Sequence, residues 1–299
     1  MTDAILEIDR ISKRYGAVVA LHETSLVTGA GELCGIAGRA GAGKTTLLRI
    51  CAGLLTADSG GVRWRSAPIE RAMLARIGYQ PAAGGLHPDM MVPDQLAYRG
   101  GLHGLDTNEA HRRAQVWLDR LGQRALRERG IGTLDTDERR IVALIATLLP
   151  EPELLLLDEP CAGMSATGIA TVFEVLREQA DNGVPVLLSS NDFDLVEHRC
   201  DRAAILRSGQ PIAVGAMPEL TADRARLIAV DAPDATPGWA AVVPGCRMVD
   251  VDGTRVVLEL GPEADDQAVL AAAMATGRVR EFTLLRRSLA ARYDSADGS

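Results

Sequence analysis

The run GRAGAGKTT, residues 38–46, limits what this chain can fold into more than any other stretch. It follows the apolar run ELCGIAG and leads directly into TTLLRICAGLL, so a strand must pass through a glycine-rich turn into a helix. The pattern G-x-x-x-x-G-K-[ST] fits Gly38, Gly43, Lys44 and Thr45 without a mismatch. Glycines let successive backbone N–H groups turn toward phosphate oxygens, and the helix that follows adds the positive end of its dipole. The segment Gly38, Arg39, Ala40, Gly41, Ala42, Gly43, Lys44, Thr45, Thr46 is therefore read as a phosphate cradle. Lys44 is placed to reach the β and γ phosphates of a nucleotide, and the Thr45 hydroxyl to ligate Mg²⁺. A glycine-rich turn can also serve packing alone, but the apolar strand in front of it argues against that reading.

Chemistry on a phosphate needs acids as well, one for the metal and one for the attacking water. The run LLLLDEP supplies them. Four leucines make a strand buried on both faces, and Asp158 and Glu159 emerge at its carboxyl end, where parallel sheets bind their ligands. Asp158 is expected at the metal, and Glu159 beside the water as the catalytic group.

With 299 residues, 47% hydrophobic and 24% charged, the chain has the composition of a globular protein long enough for one large and one small domain. A net charge of -8 argues against a nucleic-acid surface spread over the molecule, and no nucleic-acid partner is expected. Five cysteines without paired spacing point to reduced, buried thiols rather than a metal or redox motif. The first residues show no signal-peptide pattern, and no apolar run approaches about 18 residues. A membrane role would thus require another protein to bring the chain there.

Texture divides the sequence. Residues 5–80 alternate β-rich runs with glycines. From about 83 to 150 the pattern turns helical, with Asp106 and Thr107 as candidate caps and apolar residues at Ala114, Trp117, Leu118 and Leu121. From 153 to 215 strands alternate with a helix, the rhythm of a parallel sheet. The expected boundaries are 1–220 for an ATP-binding domain and 221–299 for a small α/β appendage containing a hairpin that turns on Asp252 and Gly253.

As a set, KRYGAVVAL, GRAGAGKTT, IGYQPAAGGLHPDMMV, LLPEPELLLLDEP and LLSSNDFDLVEHRCDRAAIL resemble the nucleotide-binding subunits of ABC transporters, over about residues 5–220. The resemblance implies a P-loop NTPase core of α/β class with a helical subdomain, ATP and Mg²⁺ as ligands, and Tyr15 as the ring that stacks on adenine. It also implies a membrane-spanning partner, a second ATP-binding subunit and a place at the cytoplasmic face of the membrane. The tail, with RRSLAARY near its end, is similar to that of drug-resistance exporters of the daunorubicin type.

Four positions depart from that family. Its LSGGQ signature, which grips the nucleotide of a partner subunit, is LDTDE here, Leu134 to Glu138, followed by the expected Arg139 and Arg140. Asp135 and Asp137 would face an approaching polyanion, and unit charges 4 Å apart repel by about 4 kcal/mol at an effective dielectric of about 20. The switch histidine is Asn191, whose amide does not titrate and so cannot take up a proton and pass it on. The metal-sensing glutamine is Ala82, with Gln80 two residues early, and the aspartate of the interface loop is Ser165. Gripping residues are kept and turnover residues are lost, so the sequence predicts Mg-ATP binding with slow hydrolysis in an exporter, preferably as a heterodimer. The competing expectations are a regulator that binds ATP with little or no hydrolysis, and a soluble ABC ATPase of translation or DNA repair. The last of these would bring two phosphate loops or a long coiled-coil insertion, and the chain shows neither.

Overall fold

The computed structural model describes residues 4–221, 226–235, 238–261, 264–285 and 288–295. Met1 to Asp3, and Arg286 and Arg287 of the RRSLAARY run, lie outside them. Two compact units result, dividing close to Leu220 and Thr221.

The larger unit begins with β1 (Ala4–Tyr15), β2 (Val18–Gly29), β3 (Leu33–Ala37), α1 (Lys44–Cys51), β4 (Ser59–Trp64), β5 (Ala67–Pro68) and β6 (Ile77–Gln80). It continues through α2 (Val92–Leu102), α3 (Thr107–Arg120), α4 (Thr136–Leu148), β7 (Leu154–Leu157), α5 (Ala166–Asp181), β8 (Val186–Ser190), α6 (Phe193–Arg199), β9 (Arg202–Arg207), β10 (Gln210–Ala216) and α7 (Met217–Thr221). Among the described residues its strands form two sheets. One is antiparallel, in the order β2-β1-β4-β5; the other runs β10-β9-β3-β8-β7-β6. In the second sheet β3 lies parallel to both β8 and β9, and β7 parallel to β8 and β6. Strands covered on both faces need apolar residues at every position, and β3, β7 and β8 are buried throughout. The order also sets β3, β8 and β7 side by side, so their carboxyl ends, which carry the phosphate loop, Asn191 and the Asp158–Glu159 pair, converge.

The main core packs Leu6, Ile8 and Trp64 of the antiparallel sheet, Leu47 and Leu48 of α1, and Leu154, Leu156 and Leu187 of the parallel sheet. The helical region has a core of its own, built from Val92, Leu96, Leu118, Ile141, Val142 and Ile145. Its α3 begins where expected: Asp106 caps it by accepting from the backbone N–H groups of Asn108 and Glu109. Ala114 and Leu118 face inward, one helical turn apart.

The smaller unit contains β11 (Arg226–Asp231), β12 (Cys246–Asp252), β13 (Arg255–Leu260), α8 (Asp266–Thr276), β14 (Glu281–Leu285) and α9 (Leu289–Ser295). Its sheet is antiparallel, ordered β12-β13-β11-β14, with Ile228, Val230, Leu258, Val269 and Ala273 at its centre. The hairpin turns on Gly253 and Thr254, one residue beyond the expected Asp252 and Gly253, because Asp252 stays in the ladder opposite Arg255; Gly253, with φ of 58°, supplies the left-handed geometry of the turn.

All five cysteines are free thiols. Burial pushes Cys34, Cys51 and Cys161 up to about 12, which keeps them protonated at neutral pH. No helix among the described residues is long and apolar enough to cross a membrane.

Candidate functional site

At the end of β3 the chain must bend sharply without a side chain in the way. A Cβ on Gly38 would meet the Leu206 carbonyl oxygen at 2.3 Å, so only glycine fits there. Gly43, with φ of 99°, stands at the N-cap of α1 and would collide with the Ala20 carbonyl if it bore a side chain. Having none, it offers no capping oxygen, and no acid occupies the first turn of α1. The first N–H groups of that helix are therefore left for an outside acceptor. In front of them lies a cavity of about 380 Å³ lined by Val18, Val19, Ala20, Gly41 to Thr46 and Ser208. Its floor is the phosphate loop and its flank is apolar, a combination suited to a molecule with an anionic end and a flat hydrophobic one.

Lys44 is 6% exposed and meets four acceptors. Its Nζ donates to the Gly38 carbonyl at 2.7 Å, the Arg39 carbonyl at 3.3 Å and Asn191 Oδ1 at 2.6 Å, and pairs with Glu159 Oε1 at 3.2 Å. Glu159 Oε2 accepts from the Asn191 backbone N–H at 3.2 Å. Asn191, just beyond the end of β8, thus stands beside the lysine and the acid and presents an amide rather than a ring that can be protonated. Thr45 Oγ1 donates to Asp158 Oδ2 at 2.8 Å, and Asp158 is 1% exposed. The loop, Lys44, Thr45, Asp158 and Glu159 therefore form one cluster. Tyr15 stands at the tip of the β1–β2 hairpin, 48% exposed and paired with Val18, with Lys13 Nζ 6.0 Å from its ring centre.

The departures from the family pattern also have definite places. Asp135 caps α4: its side chain accepts from the Glu138 N–H at 2.9 Å, and the Glu138 side chain accepts from the Asp135 N–H at 3.0 Å. Asp137 accepts from the Ser165 N–H at 2.9 Å and from the Ser165 hydroxyl, while Ser165 caps α5 through the Gly168 N–H. Both signature carboxylates are thus held within the chain. Arg140 donates to the Ala82 carbonyl at 2.6 Å, tying α4 to the segment that lacks the glutamine.

Gln80 does not stand in for that glutamine, and strand parity gives the reason. Ile77 and Tyr79 join the core together with Leu154 and Leu156, the side of β7 to which Asp158 belongs. Gln80 points to the opposite face, with Gly78, whose added Cβ would meet Leu155 and Thr147.

Sequence reasoning missed Ser189. It is fully buried, donates to Asp158 Oδ1 at 2.7 Å and accepts from the Glu159 N–H at 2.9 Å. A serine pair at the end of an apolar strand was visible, but which serine faces the acids depends on the pairing of β8 with β7.

Among the described residues no group of three or more His, Cys, Asp or Glu side chains is arranged to hold a metal by itself. A divalent ion here would share its ligands with phosphate oxygens, as Mg²⁺ characteristically does, and Thr45 with Asp158 fits that shared arrangement.

The sequence model of the ABC transporter family matches residues 21–162. The chain is 32% identical over 226 residues to the daunorubicin resistance ATP-binding protein DrrA3 of Streptomyces coeruleorubidus, covering 75% of this chain and 72% of that one. It is 29% identical over 285 residues to the uncharacterized ABC transporter ATP-binding protein YhaQ of Bacillus subtilis, covering 95% and 96%. Among solved structures, cbiO1 from Clostridium perfringens, part of the ABC transporter complex cbiONQ, superposes with a TM-score of 0.63 at 26% identity, over 73% of this chain and 90% of that one. A phosphate loop opening an uncapped helix, acids at the end of a neighbouring strand and these likenesses agree: the chain belongs to the ATP-binding proteins of ABC transporters.

Proposed function

We propose that this ATP-binding subunit binds Mg-ATP in the cavity before α1, hydrolyses it slowly, and couples both events to a separate membrane-spanning subunit of an exporter. The observation that carries the reading is the meeting of Lys44, Thr45, Asp158 and Glu159 at an uncapped helix N-terminus. Backbone N–H groups of the Gly38 to Thr46 loop take phosphate oxygens, apart from those of Gly38 and Ala42, which donate to the Ser190 and Arg39 carbonyls; Lys44 takes the β and γ phosphates, and Tyr15 stacks on adenine. Thr45 and Asp158 hold Mg²⁺, which when bound neutralises phosphate charge. A γ phosphate competing for Lys44 Nζ frees Glu159 Oε1 to polarise the attacking water.

Slow turnover follows from Asn191 and Ala82, which leave the γ phosphate without a proton-carrying group and without a glutamine. Loss of one well-placed stabilising group costs roughly 10²-fold, so turnover of about 0.1 per second or less is expected where an ordinary enzyme manages about 10. The exporter reading draws on the daunorubicin resistance relative and the membrane partner on the family. Direct tests are calorimetry of ATP binding by the intact chain and by Lys44→Ala, then ATPase assays of the chain alone and with partner subunits. Lys44→Ala is expected to lose most ATP affinity, because it removes a charge-assisted contact. Equal affinity in the two proteins refutes the site. Turnover of several per second by the chain alone, abolished by Glu159→Gln, refutes the slow-turnover assignment.

The self-satisfied signature gives the second reading its support. With Asp135 and Asp137 engaged inside the chain, a subunit that binds ATP and reports on it without turnover remains open to the same assay.

A further inference from the structure

Asp158 receives a hydrogen bond on each oxygen: Oδ1 from the Ser189 hydroxyl at 2.7 Å and Oδ2 from the Thr45 hydroxyl at 2.8 Å. The Ser189 hydroxyl has one proton to give, and Asp158 takes it. Its lone pair then accepts the N–H of Glu159 at 2.9 Å. A single buried oxygen therefore joins the side chain of one acid to the backbone of the next.

Glu159 depends on that bond. Its φ of 49° lies in the left-handed region, where a residue with a Cβ is held only by its surroundings. That backbone aims its carboxylate back toward Lys44 and Asn191. Ser190, the adjacent residue, cannot take over. Alternation along β8 turns it to the other face, and its hydroxyl accepts from the Asp192 N–H at 3.0 Å, at the start of α6.

We propose that Ser189 is a positioning residue of the nucleotide site, setting the orientation of the Asp158 carboxylate and the backbone of Glu159 through one hydroxyl. By fixing Oδ1, Ser189 leaves Oδ2 toward Thr45. Thr45, having given its proton to Oδ2, keeps its oxygen lone pairs for a metal. Partners that orient a ligating carboxylate typically contribute about 10- to 100-fold to metal affinity. The consequence is specific: Ser189 supports binding of the metal-bound nucleotide and contributes little to binding of the nucleotide alone, which the loop and Lys44 govern.

This rests on the reading of the cavity as an Mg-ATP site, and the test separates the two. Calorimetry on the full chain compares ATP with Mg²⁺ against ATP with a chelator, for wild type, Ser189→Ala, Ser189→Cys and Ser189→Thr. In Ser189→Ala, affinity for Mg-ATP is expected to fall about 10- to 100-fold while affinity for metal-free ATP is unchanged. Ser189→Thr, which keeps the hydroxyl, recovers the preference. Ser189→Cys, close in shape with a weaker donor, loses it in part and carries the comparison should the alanine variant not fold. Equal loss with and without metal, no loss in either alanine or cysteine variant, or no recovery with threonine overturns the assignment. A wild-type chain that binds ATP without regard to Mg²⁺ removes the reading of the site instead, and the proposal with it.

Discussion

Gln80 is the clearest anomaly among single residues. It is 1% exposed, and neither Oε1 nor Nε2 has a hydrogen-bond partner among the described residues. A buried amide left unsatisfied costs about 1–3 kcal/mol. Gln80→Leu, similar in bulk and without polar atoms, is therefore expected to raise stability to chemical denaturation by about 1–3 kcal/mol. ATP affinity should stay unchanged, because the side chain faces away from Asp158. A less stable variant would show that bound water satisfies the amide and that the position is polar for a reason. Gly38 shows the opposite case, a residue legible from the motif of its own loop, although the Leu206 carbonyl that leaves no room for a side chain there belongs to β9, a strand distant in sequence.

Among the elements, α1 and α4 differ in what they do with their N-termini. Gly43 leaves α1 open, whereas Asp135 and Glu138 close α4 with a reciprocal pair of hydrogen bonds. Loss of such a cap costs about 1 kcal/mol, so Asp135→Ala is expected to lower stability by that amount in chemical unfolding, and Asp135→Ser to keep most of it. Asp137 adds a tie from α4 to α5, since Ser165 donates to it while capping α5. Reverting the segment with Asp135→Ser, Thr136→Gly and Asp137→Gly should therefore lower stability while making the N-terminus of α4 more receptive to anions. Its effect on ATPase rate is expected only in the presence of a partner with intact catalytic residues, measured on the mixed complex. A rate increase in the isolated chain would contradict an action across subunits.

At the scale of the whole molecule the question is what completes the site. Two copies of this chain would combine a closed signature with an absent histidine at both nucleotides, leaving neither well equipped. Pairing with a different ATP-binding subunit lets that partner's signature serve the site on Lys44 and Glu159, while the site facing Asp135 and Asp137 stays weak. We therefore expect native mass spectrometry of the membrane complex, made by co-expression with the partner subunits, to show one copy of this chain and one of another ATPase. Two copies of this chain and no second ATPase would refute the asymmetric assembly.

The sequence by itself determined the phosphate loop, the acids after the leucine strand and the hairpin at Gly253, because each is set by a short run of residues whose geometry is local. Thr45 and Asp158 were legible as site residues, but their contact spans 113 positions and exists only because β3, β8 and β7 lie adjacent in the sheet. Tertiary structure alone decided that Ser189 rather than Ser190 meets the acids, that Gln80 faces away from them, and that Asp137 reaches Ser165. Each of these depends on strand register or helix docking, fixed by packing between elements distant in sequence, where a shift of one residue turns a side chain to the opposite face.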